Sequence, residues 1–311
     1  MPKLRGPLFS LEARKQLGKG LTYQRRPGGA SVYGYQTPKV PLTTAQHTQR
    51  DKIMWCVLSW RMLSDAAKAE WEAKAKGQGQ SGYSYFVSQT CGYIYDPACV
   101  LYLPLFSTDL KGDSFLSRDS YGHLCAVTGA VWGSKGRTFG GNAYIDCGTG
   151  ASLNLVQEFT LEVVFKYDAP GSYENILFKG NESHYSNWAW SLQKSSGEKI
   201  RLIGSNNVDA FTVALASTTA ITAGTFWHVA AIYDKNAGNA IVYRNGVADG
   251  SGAISGTIAD NASKCLFLGT RKRAVPDLFL TGTIGEVRIY NRILTPFEIQ
   301  DNYLATKWRY G

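Results

Sequence analysis

No uninterrupted apolar run in this 311-residue chain approaches the ~20 residues of a bilayer-spanning helix, so no membrane partner is expected. The opening stretch, Met1-Pro-Lys-Leu-Arg-Gly-Pro-Leu-Phe-Ser10, is basic but lacks the apolar core of about 7–15 residues that a secretion signal needs. Synthesis and folding in a cytoplasm are therefore expected. Six cysteines (Cys56, Cys91, Cys99, Cys125, Cys147 and Cys265) contain no Cys-x-x-Cys pair, which removes the usual zinc spacing. Reduced, partly buried thiols are expected. Cys91 and Cys99 are spaced to close a short loop, and Cys125 and Cys147 to face each other on neighbouring strands, if the protein leaves the cell. The four histidines (His47, His123, His184, His228) are scattered, and no Ser-His-Asp set, P-loop or dinucleotide fingerprint is present. The residues thus offer no catalytic or metal set.

What is present describes a β protein. Hydrophobic residues make up 44% and charged ones only 18%, enough to bury a large core. Thirty-three Gly with 18 Tyr, 13 Phe and 8 Trp fit tight turns between aromatic strands. The charge is split unevenly. Residues 1–95 carry 14 Lys/Arg against 5 Asp/Glu, the whole surplus of nine, whereas residues 96–311 hold 19 of each sign.

Three segments follow from the pattern. Residues 1–42 read as an extended basic arm in which Arg5, Arg14, Lys15, Lys19, Arg25, Arg26 and Lys39 alternate with Gly and Pro. Tyr33 and Tyr35, with Pro38 and Pro41 behind them, favour extended backbone, and about 40 residues reach roughly 130 Å. Residues 43–95 read as a helical hairpin with an aromatic tail. Ile53, Met54, Val57, Leu58 and Met62 mark its first helix. Ser64-Asp65 caps a second, on which Ala67, Trp71 and Ala75 share a face, and Tyr83–Val87 follows.

Residues 96–311 change to a period of two. Phe159-Thr-Leu-Glu-Val-Val-Phe-Lys-Tyr167 reads as a half-buried strand. Asn175–Phe178, Trp188–Leu192, Phe226–Tyr233, Ala240–Tyr243, Cys265–Leu268 and Thr283–Tyr290 are further strands. Asn245-Gly246 predicts a type I′ hairpin turn. Thr295-Pro-Phe-Glu298 is a capping box that opens a short helix. The predicted fold is mainly β: a two-sheet antiparallel jelly-roll sandwich preceded by the arm and the hairpin.

The stretches Leu101–Leu105, Asp119–His123, Phe139–Ile145, Phe159–Glu162, Thr225–Ala230 with Tyr233-Asp234, Tyr243–Gly246 and Gly282–Arg292 resemble, in order, the concanavalin A-like, laminin-G-like jelly roll. That fold hosts lectins, adhesion modules, glucanases and spacers, so the resemblance implies the architecture before the ligand. The N-terminal portion is similar to small structural proteins of tailed-phage virions, through Lys39–Arg50, Trp60-Arg-Met-Leu-Ser64, Lys68-Ala-Glu-Trp71 and Gly82-Tyr-Ser-Tyr-Phe86.

These resemblances imply specific chemistry to look for. Glucanases of the fold carry Glu-x-Asp-x-Glu on one strand. Here Glu158-Phe-Thr-Leu-Glu162 puts both glutamates on one face, but Thr160 replaces the central aspartate. Relatives that hold Ca²⁺ use loop aspartates, for which Asp119 or Asp146 would serve. Gly285, however, stands where the family often has Asp before the last strand's Glu. For sugar binding, His184, Tyr185 and Trp188 form the best aromatic stretch, although Trp188 or Trp190 is also expected to fill the core. No cofactor is required.

The basic arm suits phosphate contacts, but the near-neutral helical unit lacks a third long helix, so nucleic acid is not the expected partner. The combined expectation is a non-enzymatic virion structural protein (capsid decoration, head fibre or tail accessory) made in the host cytoplasm. Its arm would dock on a major capsid or other virion protein within a multimeric assembly, and its jelly roll would face a host-surface glycan. The alternatives are a cellular carbohydrate-binding lectin module and a glucanase-like hydrolase.

Overall fold

The computed structural model describes residues 16–17, 21–26, 29–34, 57, 60–61, 65–76, 79–93, 96, 98–181, 188–206, 211–272 and 277–310. The chain forms two compact units, residues 1–52 and 53–311.

In the first unit, β1 (Gln16–Leu17), β2 (Leu21–Arg26) and β3 (Gly29–Gly34) make an antiparallel meander. Leu17 pairs with Leu21, and Arg26 with Gly29. Part of the stretch read from sequence as an extended arm is therefore a small sheet. The strand formers Leu21, Thr22, Tyr23, Val32 and Tyr33 are few, and the Arg, Gly and Pro around them hide the period.

In the second unit, Val57, Trp60 and Arg61 are helical, and the rest of the first predicted helix lies outside the described residues. The second predicted helix is α1 (Asp65–Ala75), and the aromatic tail is itself a helix, α2 (Gly82–Tyr93). Ser81 Oγ accepts the Ser84 N–H at 3.1 Å as its cap. Trp71 meets Phe86 edge-on at 5.2 Å, and Trp60, Tyr85 and the distant Trp308 pack around them. The hairpin thus gains from Trp308 an apolar partner that it lacks by itself.

The sandwich follows: β4 (Cys99–Pro104), β5 (Ser114–Leu116), β6 (Leu124–Thr128), β7 (Val131–Gly133), β8 (Gly136–Phe139), β9 (Tyr144–Asp146), β10 (Glu158–Tyr167), β11 (Glu174–Gly180), β12 (Trp188–Lys194), β13 (Ile200–Ser205), β14 (Phe211–Ala216), β15 (Trp227–Asp234), β16 (Asn239–Arg244), β17 (Val247–Ala253), β18 (Leu266–Leu268) and β19 (Gly282–Tyr290). The first sheet runs β17-β16-β15-β10-β19-β8-β7, with β4 also on β19; the second runs β14-β13-β12-β11-β18-β9-β6-β5. Strand neighbours far apart in sequence, such as β10 with β19, give the jelly-roll connectivity. Asn245 and Gly246 adopt φ of 51° and 80°, as the I′ turn between β16 and β17 demands.

Between the sheets lie Phe159, Leu161, Val163 and Phe165 of β10 against Trp190 and Leu192 of β12, with Tyr233, Val287 and Ile289. The other face of the first sheet is covered by α3 (Pro296–Tyr310). The α3 capping box closes as its sequence predicts: Glu298 Oε2 accepts the Thr295 N–H at 2.7 Å, and Thr295 Oγ1 accepts the Glu298 N–H at 3.2 Å. Ile299 and Leu294 pack on Tyr102, Ala230, Ile232, Tyr243 and Tyr290. This cover corrects the reading of β10 as half-buried: its residues from Phe159 through Phe165 are all buried, because core lies on one side and helix on the other.

Candidate functional site

The outer face of the second sheet carries an aromatic cluster. Strand alternation sends Leu266 and Leu268 inward and Phe267 outward, and Phe178 sits opposite Phe267 in the register. Tyr144 of β9 meets Phe267 at 6.2 Å, and Trp188 meets Phe178 edge-on at 5.4 Å. Trp188 reaches this face through a bulge. Lys179 pairs with Trp190 but Gly180 with Trp188, so Ala189 is the extra residue, and it breaks the alternation. Trp190 fills the core, and Trp188 joins the outer cluster, only 2% exposed.

Two cations lie on these rings. The Arg271 guanidinium is 5.3 Å from the Trp188 ring centre, and Lys272 Nζ is 4.9 Å from that of Tyr144 and 5.9 Å from that of Phe267. Arg271 is bound by Asp277 in a two-point pair, Nε to Oδ1 at 2.7 Å and a terminal nitrogen to Oδ2 at 2.5 Å. Lys272 has no carboxylate partner among the described residues. On the same face the Ser191 hydroxyl donates to Asn175 Oδ1, which leaves the buried Asn175 Nδ2 with no acceptor among the described residues.

Buried lysines brace the cluster from below. Lys264 Nζ donates to the Trp188 carbonyl at 3.0 Å, and Lys179 Nζ to the Lys264 carbonyl at 2.6 Å. Burial lowers both amines, Lys179 to about 8. A partly exposed tyrosine beside a lysine is equipped to bind a polar ligand that has an apolar flank.

The residues weighed for hydrolysis lie elsewhere, on the first sheet. Glu162 is 2% exposed beneath α3: its Oε1 is 2.6 Å from His228 Nε2, and its Oε2 accepts from Asn302 Nδ2 at 2.9 Å. Glu158 accepts from the Asn236 amide. Thr160 staples the chain after β19, donating to the Arg292 carbonyl at 2.9 Å and accepting the Leu294 N–H at 3.0 Å. The two glutamates therefore do not share an open cleft.

Asp119 accepts backbone N–H groups from Tyr102, Tyr121 and Gly122 at 3.0, 2.8 and 3.1 Å, and Asp146 accepts that of Gly148 at 2.8 Å. Among the described residues no group of three ligating side chains surrounds either aspartate. Gly285 lies against the Tyr310 ring of α3, where an aspartate side chain would not fit.

Of the predicted glycan residues, Trp188 is in the cluster, and His184 and Tyr185 lie outside the described residues. Of the predicted arm residues, Arg25 and Arg26 belong to β2 and Tyr33 to β3. Arg5, Arg14, Lys15, Lys19, Tyr35 and Lys39 lie outside the described residues. Sequence reasoning missed Tyr144, Phe178, Phe267, Arg271 and Lys272. The only local signal was aromatic residues at outward-facing positions of predicted strands.

A profile of the concanavalin A-like lectin/glucanases superfamily matches residues 139–300. No curated protein matches the chain. Among solved structures, a mutant Trypanosoma rangeli sialidase displaying trans-sialidase activity is similar at 16% identity and a TM-score of 0.54, over 94% of this chain and 43% of that one. Trypanosoma rangeli sialidase in complex with 2,3-difluoro-KDN is similar at 17% and 0.52, over 69% and 33%. The ligand-binding domain of botulinum neurotoxin serotype D in complex with N-acetylneuraminic acid is similar at 13% and 0.50, over 67% and 50%. The chain spans a third to a half of the length of these structures, and the likeness is one of fold.

Proposed function

Because the chain belongs to the concanavalin A-like lectin/glucanases superfamily, we propose that it is a non-enzymatic, lectin-like protein that binds an acidic glycan on the outer face of its second sheet. The observation that carries this reading is Lys272, a cation seated on Tyr144 and Phe267 with no carboxylate partner among the described residues. A sugar ring stacks its C–H face on an aromatic ring, and a carboxylate or sulfate on the sugar would meet the ammonium. The botulinum domain, of like fold, is itself in complex with an acidic sugar. The non-enzymatic part rests on Glu162, whose carboxylate is engaged by His228 and Asn302 and sealed under α3.

The test is a glycan array probed with the full chain, carrying neutral, sialylated and sulfated sugars. Retention on acidic glycans that falls at least tenfold in Lys272→Ala and in Tyr144→Ala supports the reading. Equal retention on neutral glycans, or none on any, overturns it. Hydrolysis of a β-glucan that disappears in Glu162→Gln would establish the enzyme instead.

A second part of the reading concerns attachment. Residues 1–95 hold the entire positive surplus, and residues 1–52 form their own compact unit. We assign to this region the docking of the protein on a virion surface, with the sandwich displayed toward the host. Removal of residues 1–52 should abolish co-sedimentation with purified particles; a truncated chain that still co-sediments refutes the assignment.

A further inference from the structure

Cys125 on β6 and Cys147, just past the end of the adjacent antiparallel strand β9, face each other when the strand register is continued by one residue. Ala126 pairs with Asp146 and Val127 with Ile145, and the same register continued by one residue sets Cys125 of β6 across from Cys147, the residue that follows β9. Both side chains point into the sandwich core and are buried. Both are free thiols, and the Cys125 thiol lies 3.6 Å from the His123 carbonyl.

The backbone hydrogen bonds identify the kind of pair. The Cys147 N–H donates to Leu266 O at 2.8 Å, away from β6 and toward β18. The Val127 N–H donates to Asp113 O at 2.8 Å, toward β5, and Cys125, two residues earlier, turns the same way. Neither cysteine therefore spends its backbone groups on the other. In such a non-hydrogen-bonded pair the Cα atoms are about 4.5 Å apart and the side chains are at their closest, within the roughly 4.4–6.8 Å that a disulfide spans.

We propose that Cys125 and Cys147 are a disulfide-forming pair that cross-links β6 to β9 when the chain folds in the presence of a small disulfide oxidant. The Cys125 thiolate attacks the oxidant's S–S bond, releasing one thiol and leaving a mixed disulfide. The Cys147 thiolate then displaces the second. Two protein thiols are oxidised, the small disulfide is reduced to two thiols, and no other reactant is consumed. The reaction belongs to folding, not to the finished domain. Burial, reinforced by the neighbouring thiol, holds Cys147 well above its ordinary value and so keeps it protonated once the core has closed.

The bond would secure a weak edge. The β5–β6 hairpin ends the second sheet, held to it by the short β9 pairing, and it exposes Leu116, Tyr121 and Leu124 to solvent. A displayed domain with an exposed apolar edge is prone to edge-to-edge association, which a covalent tie across β6 and β9 suppresses.

The full chain, reduced and unfolded, is refolded in a mixture of oxidised and reduced glutathione, alkylated, and mapped by mass spectrometry without reduction. The expected result is a linked Cys125–Cys147 peptide, formed at least tenfold faster during refolding than when oxidised glutathione is added to the folded, reduced chain. The oxidised protein should melt on the order of 5 °C higher, a gain abolished by reductant and absent from the double variant Cys125→Ser, Cys147→Ser. A map in which both cysteines remain free, or in which either pairs mainly with Cys56, Cys91, Cys99 or Cys265, overturns the proposal. The map is read on the unmutated chain, so it decides the matter even if the double variant fails to fold.

Discussion

His228 Nε2 lies 2.6 Å from Glu162 Oε1, beneath helix α3. Around this contact α3 and β19 contribute a continuous polar layer. Asn302 donates to the other oxygen of Glu162, Arg288 stands 3.6 Å from it, and Glu286 joins Arg288 to Arg309, the latter at 3.1 Å. Buried charges of this kind cost desolvation and are retained only when each is matched, so the layer specifies where α3 sits more than it adds stability.

Replacing Glu162 by Gln should leave Arg288 with one carboxylate fewer and set an amide donor against the Asn302 amide. The expected loss is about 3 kcal/mol, read as a shift of the urea midpoint with unchanged slope. A midpoint within ~0.5 kcal/mol of the parent would show that the layer does not hold the helix.

Gly285→Ala tests the far end of the same helix. A Cβ at Gly285 would stand 2.4–2.6 Å from the ring edge and hydroxyl of the buried Tyr310. Overpacking of this kind costs roughly 1–3 kcal/mol. Combined with Tyr310→Ala, the two losses should be less than additive, because the second substitution removes the obstacle met by the first. Strict additivity in a double-mutant cycle would refute the contact.

Lys179 makes stability depend on alkaline pH. Its amine, fully buried, is lowered by burial from 10.5 to about 8. Between those values the unfolded chain still binds a proton that the folded chain has released, so stability rises with pH through this window and is flat below it. The gain attributable to Lys179 is on the order of 3 kcal/mol at most. It should appear as the difference in pH slope between the parent and Lys179→Met, measured by denaturation from pH 7 to 10; parallel slopes would contradict the buried amine.

Local chemistry was legible wherever a few neighbouring residues decide the outcome. Thr295-Pro-Phe-Glu298 starts a helix because its two reciprocal hydrogen bonds involve only residues three apart. Asn245-Gly246 turns a hairpin because both residues tolerate positive φ. The alternation in Phe159–Tyr167 marks a strand, and the order of such strands identified the jelly roll. What the alternation did not reveal is that the polar side of that strand is buried as well, since the cover is a helix more than 130 residues further on.

The candidate site was illegible for the same reason, on a larger scale. Tyr144, Phe178, Trp188, Phe267 and Lys272 come from four strands and a loop, and no two of the rings are close in the chain. Trp188 in particular looks like the core residue that Trp190 is, until the extra residue at Ala189 turns it to the opposite face. The amino-acid sequence by itself determined the basic N-terminal surplus, the strand period, the caps and the turns, because those depend on residue type and short spacing. Only the tertiary structure decided which face each aromatic occupies and which carboxylates are sealed, because register and bulges are set by strand pairing across the whole chain.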